Sequence, residues 1–187
     1  MENDEQQYSE PIYKRWFRTK DKSGFISIIP WFDNEKGIVK LNIDVGESDP
    51  STNALRSSTN AFVDAYKFGS FVKAIANDTA KSIFPSKNKK INNEWKPDPD
   101  HPTDESIAFY GGSNGVARII RIHHWQTPNG YDSSAFVVKI GHFEGNTSHS
   151  GAIIADMSKI ISRNQIKVSR QEMAEISYII ETELIRR

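Results

Sequence analysis

A chain of 187 residues is large enough to bury a core without metal or disulfide staples, and its 24 basic and 24 acidic side chains argue against a uniformly cationic nucleic-acid coat. With no cysteine, disulfides, thiolate metal sites, iron–sulfur clusters and cysteine nucleophiles are excluded. No apolar run approaches the roughly 20 residues of a membrane helix. Positions 1–10 (MENDEQQYSE) carry four acids and no base, the opposite of a secretory signal's start, so a cytoplasmic protein is expected.

The charge is segregated along the chain. Residues 12–22 (IYKRWFRTKDK) hold five bases and one acid, residues 159–170 (KIISRNQIKVSR) hold four bases and no acid, and both are locally +4. Against them stand the acidic first ten residues and 97–105 (PDPDHPTDE), with four acids and three prolines. Electrostatic footprints are local, so these stretches matter more than the net charge.

From Ile12 to Val45, the runs IYKRWFRT, FISIIPWF and IVKLNIDV are separated by KSG and DNEKG, which predicts three strands of an antiparallel meander. In the third, Val39, Leu41, Ile43 and Val45 alternate with Lys40, Asn42 and Asp44, so one face is buried and the other wet. Pro30 pushes its strand towards an edge or a bulge. Residues 46–59 are polar and read as a loop. Over 60–84 the period changes: Phe62, Ala65, Tyr66, Gly69, Val72 and Ala76 recur at three-and-four spacing before Pro85, which predicts an amphipathic helix. Phe68, Phe71 and Ile75 widen its apolar stripe. Residues 86–104 have almost no aliphatic side chains and read as a mobile linker or long loop.

Strand patterns return with SIAFYGG, VARIIRIHHWQ, SAFVVKIGHF and SGAIIADM, joined by the hairpin-type turns GGSNG and TPNGYD. Residues 156–168 fit a helix turn through Met157, Ile160 and Ile161, or a strand through QIKVS. Ser169 and Glu172 form a capping-box pair opening a second amphipathic helix through Met173, Ile176, Ile180 and Leu184. The expected class is α+β: a twofold repeat of β-meander plus helix, giving two antiparallel sheets braced by two helices. A disordered acidic tail (1–10) precedes a single domain (11–187) of two halves, 11–85 and 105–187, joined by the linker 86–104.

Few motifs carry chemistry. His123, His124, His142 and His149 cluster in the second half, and a strand pair bringing His123 and His142 to one face would offer two imidazoles to zinc; a third or fourth ligand is missing from the pattern. Gly111, Gly112 and Gly115 suggest a phosphate cradle, but a strand follows where a helix is required, so a hairpin turn fits better. There is no GxSxG elbow or SxxK pair. Neither cofactor nor metal is expected.

The informative pattern is aromatic rings interleaved with cations. Lys14, Trp16 and Arg18 share one face of the first strand; Trp31 ends the second. Arg121, His123 and Trp125 share a face of a later strand, and on the next Lys139 opposes Phe136, Val138 and Ile140. Such faces give unpaired bases flat platforms, worth about 1–3 kcal/mol per stacked base, with charges that track phosphates. The plainer reading makes the rings core and the cations the wet side of half-buried strands; it leaves a charge buried wherever ring and cation share a face.

Strands followed by a helix, twice, with aromatic and basic residues on the sheets, resembles the Whirly and transcriptional-coactivator fold of single-stranded DNA-binding proteins, including phage replication versions. The resemblance implies two packed antiparallel sheets, single strands lying across their outer surfaces, helices that assist oligomerisation and, for a phage protein, the host cytoplasm. The lysine–glycine–lysine signature of plant Whirly proteins is absent, and the first half shows three strands where that fold has four.

Three readings follow. The leading one is a non-enzymatic single-stranded DNA-binding protein, with RNA also open as a partner, stacking bases on Trp16, Trp31 and Trp125 and meeting phosphates with Lys14, Arg18, Arg121 and Lys139. The second is an oligomeric structural or adaptor protein with exposed aromatics, and the third a nuclease or hydrolase using His123, His142 and scattered acids. A homo-oligomer is expected because a half-sheet covers only one of the two apolar stripes of the first helix.

Overall fold

The computed structural model describes residues 10–18, 23–33, 37–49, 51–52, 54–77, 86–91, 94–102, 107–127 and 130–185. Four consecutive strands, β1 (Tyr13–Arg18), β2 (Ser23–Asp33), β3 (Gly37–Ser48) and β4 (Leu55–Asp64), form one antiparallel sheet in chain order, followed by α1 (Ala65–Ala76). A two-stranded ladder, β5 (Ser86–Ile91) with β6 (Glu94–Pro102), comes next. The second sheet, ordered β10-β9-β8-β7, is built from β7 (Ile107–Ser113), β8 (Val116–Thr127), β9 (Gly130–Thr147) and β10 (Ile153–Ser169), and α2 (Arg170–Ile185) ends the chain. The repeat of meander plus helix is therefore four strands and a helix, twice.

Several boundaries differ from the sequence expectation. The expected loop at 46–59 holds the end of β3 and the start of β4, and the expected helix at 60–84 begins at Ala65, because Asn60–Asp64 pairs with Asp44–Lys40. Residues 156–168 are strand throughout, not a helix turn. The stretch read as a linker contains the β5–β6 ladder, whose backbone pairing needs no aliphatic side chains. Pro30 sits on β2 two residues beyond Ile28, the last to pair with β1, so its missing N–H meets no strand; a bulge follows between Trp31 and Phe32.

Directly paired residues of an antiparallel ladder point to the same side, which fixes the core face of each sheet. In the first sheet it is Ile28–Ile43–Ala61 and Pro30–Leu41–Val63; in the second, Ile122–Val138–Ile166 and Phe136–Val168. These faces meet each other and both helices in one buried cluster. Where β4 meets the second sheet the join is polar: Asn164 Nδ2 donates to Thr59 Oγ1 at 2.7 Å, Ser57 Oγ donates to Asn164 Oδ1 at 2.9 Å, and His142 Nε2 lies 2.6 Å from the Asn60 carbonyl.

Asp64 caps α1 by accepting from the Lys67 N–H at 2.8 Å. The capping box of α2 is present: Ser169 N–H donates to Glu172 at 2.6 Å, and the Glu172 N–H to Ser169 Oγ at 3.2 Å. The helices pack on each other where Gly69 leaves room for Ile180 and Lys73 pairs with Glu181 at 2.6 Å. Phe68, Phe71, Val72 and Ile75 are all buried within the chain, Phe68 at 1 % exposure. Of the two apolar stripes expected on this helix, the one through Phe68, Phe71 and Ile75 is covered within the chain, while on the other Val72 is buried, Tyr66 is 61 % exposed and Phe62, which belongs to β4, is exposed as well. Among the described residues no helix is long and apolar enough to cross a membrane.

Candidate nucleic-acid interface

The outer face of the second sheet reads in rows across the strands. Tyr110, Ile119, Gly141 and Arg163 form one; Ala108, Arg121, Lys139 and Gln165 the next; His123, Val137 and Lys167 the third. Arg121, Lys139, Arg163 and Lys167 thus bring four cations to one side, opposite the apolar positions 120, 138, 140, 166 and 168. Among the described residues no carboxylate lies within ion-pair distance of any of them. Partial burial pushes the Lys139 ammonium below the ordinary lysine value, and the Arg163 and Arg121 guanidiniums push the same way.

The β8–β9 ladder shifts register after His124 and resumes with Trp125 paired to Asp132; Trp125 is 36 % exposed with Lys167 Nζ 4.7 Å from its ring centroid. His124 points the other way, its ring 4.9 Å from that of Phe136. Lys159 belongs to a different surface, tied to Glu144 at 3.0 Å and Asp156 at 3.9 Å.

The first sheet's outer face carries the remaining singled-out residues. The register sets Lys14 beside Ser27, Trp16 beside Phe25 and Arg18 beside Ser23, on the side where Trp31 faces Lys40; the side chains of Lys14, Trp16 and Arg18 lie outside the described residues. Trp31 is 49 % exposed and the Lys40 ammonium lies 5.9 Å from its ring centroid. Asp44 and Asp64 share this face, so its charge is mixed.

The eight residues picked from sequence therefore fall on two outer faces, four on each. Arg121, His123, Trp125 and Lys139 come together on the second sheet, while Lys14, Trp16, Arg18 and Trp31 lie on the first. Arg163, Lys167, Tyr110 and Lys40 were missed. Period-two counting through the basic stretch 159–170 would have found two of them, since Arg163 and Lys167 alternate with the buried Asn164, Ile166 and Val168.

His123 and His142 do not share a face. His123 pairs with Val137, and 142 − 137 = 5 is an odd step along β9, so His142 points towards β4 and His123 away from the core. Among the described residues no group of three or more potential ligands is placed to hold a metal ion.

Fold and surface together define a class: a two-sheet α+β protein with a cationic face set with aromatic rings. Among solved structures the chain is similar to the crystal structure of WHY3 from Arabidopsis thaliana, at 10 % identity over 92 % of this chain and 86 % of that one, with a TM-score of 0.47. It is also similar to WHY1 of the same plant, at 8 % identity over 92 % and 82 % of the two chains, again with a TM-score of 0.47. Both are plant Whirly proteins, the family that the sequence layout resembles. No protein-family model and no curated protein matches the sequence.

Proposed function

We propose that this protein binds single-stranded nucleic acid, DNA first and RNA second, on the outer face of its second sheet, without catalysing a reaction. One observation carries the reading: Arg121, Lys139, Arg163 and Lys167 gather on one face beside the exposed Trp125, with no carboxylate partner among the described residues. Like charges held together in this way call for an anion, and the polyanion that also rewards a flat ring is an unpaired strand. The mixed face of the first sheet, with Lys14, Trp16, Arg18 and Trp31, is the secondary contact. Coverage of exposed strands during DNA replication or recombination is the role that suits such a binder, and a phage genome a suitable source. Self-association into a homo-oligomer, in this reading, uses Ile154, Met157, Ile160 and Ile161 of β10, which stand exposed.

The test is a fluorescence titration with labelled oligonucleotides at several salt concentrations. Single strands bind more tightly than duplex, because the rings reach only bases that are already unpaired. Four phosphate contacts give a slope of log affinity against log salt of about −2.8, at about −0.7 for each. Equal or tighter duplex binding overturns the reading. A second reading, protein docking through Trp31 and Phe62, is favoured by the exposure of both rings on the mixed-charge face, and it predicts an association that salt does not weaken.

A further inference from the structure

At one end of the second sheet two turns flank an open cleft. The β7–β8 hairpin turns through Asn114 (φ 53°) and Gly115 (φ 72°), and the β9–β10 turn closes with Gly151 N–H donating to the Ser148 carbonyl at 3.0 Å. The Gly145 N–H donates to the Gly115 carbonyl at 2.8 Å and ties the β7–β8 turn to the last residues of β9. The space between them is about 580 Å³, within the range of small-ligand sites, and its lining includes Tyr110, Gly112, Ser113, Asn114, Thr147 and Ile153.

The lining combines one ring with bare main chain. Gly112 leaves the β7 side without a side chain, and it must: a Cβ there would lie 2.6 Å from the Val116 carbonyl oxygen and 3.3 Å from Ile153 Cβ. Ser113 Oγ accepts from Arg118 Nη1 at 2.9 Å, which leaves its own O–H to donate elsewhere. Tyr110 is 73 % exposed, the highest among the large hydrophobic side chains described as exposed. It stands on the outer face two residues beyond Ala108, the register partner of Arg121. The cations Arg163, Lys139 and Arg121 therefore step across the strands towards the ring of Tyr110.

We infer that the cleft receives one nucleobase of the strand lying on the cationic face, stacked on Tyr110, with its polar edge met by main-chain groups and by Ser113, Asn114 or Thr147. The inference rests on the proposed function and adds a point where one base is read separately from the rest. A ring offers stacking to any base, whereas a cleft of fixed size with polar walls distinguishes an occupied position from an empty one.

The experiment uses the full chain and short oligothymidylates in which a single 2-aminopurine is moved along the strand. In the wild type its fluorescence is quenched most at one position. Tyr110→Leu removes that quench and weakens binding about fivefold, the effect of one lost stacking contact. Ala152→Trp, which fills the cleft from an exposed position on the β9–β10 turn, does the same. Both variants keep the wild-type salt slope, because the four cations are untouched. Salt-dependent binding with no favoured position, or quenching unaltered in both variants, overturns the cleft and leaves the face standing. No binding of single strands by the wild type overturns both.

Discussion

Lys139 is held where its charge opposes the fold and serves the ligand. Below the ordinary lysine value the unfolded chain binds the Lys139 proton more tightly than the folded chain does, so this group makes stability rise with pH through the window beneath that value. Binding runs the other way, since a phosphate contact needs the proton and is lost as pH rises through the depressed value. Lys139→Met should therefore raise the melting temperature, by up to about 2 °C, while weakening single-strand binding about tenfold. A thermal melt and a titration on the same sample check both, and a lowered melting temperature would count against the charge cluster. Trp125→Ala separates platform from core: binding falls about fivefold and the melt barely moves. Phe68→Glu, by contrast, puts a charge into a fully buried site and should give insoluble protein, not a dissociated monomer. At this scale the sequence was half legible. Alternation identified Arg121, Trp125 and Lys139 because their strand neighbours are strongly apolar, but Arg163 and Lys167 stayed hidden in a stretch whose aliphatic residues fit two periods.

Among the elements, β4 shows what periodicity leaves out. Its first four residues, Leu55–Ser58, are exposed on both sides, so no alternation marks them; they are strand because their backbone pairs with Gly46, Glu47 and Ser48 at the end of β3. Gly46 reinforced the misreading. A glycine between polar residues reads as the start of a turn, yet here it lies inside β3, where a Cβ would meet the Phe25 ring at 2.6 Å and the Ser57 carbonyl at 2.5 Å. Gly46→Val should cost about 1–3 kcal/mol, or several degrees of melting temperature, by forcing that ring aside. The start of α2 was legible because a capping box is purely local. Ser169→Ala should lower stability by about 1 kcal/mol and the melting temperature by about 2–4 °C, without changing the affinity for single strands.

On the scale of the molecule, each sheet is assembled from strands that follow one another in sequence, while the core is common to both halves. Ile26, Ile28, Leu41 and Ile43 of the first sheet lie in one cluster with Ile120, Phe136 and Val138 of the second and with Met173 and Ile180 of α2. During synthesis the amino-terminal half leaves the ribosome able to form every one of its ladders, yet the surface that those ladders create has nothing to rest on until residues beyond 116 have been made. At about 5–20 residues per second, this leaves an interval of several seconds in which the nascent chain is structured and adhesive at once. A fragment ending at residue 85 should therefore be retained by chaperones or precipitate when expressed alone, and supplying residues 86–187 as a second chain should rescue it into solution.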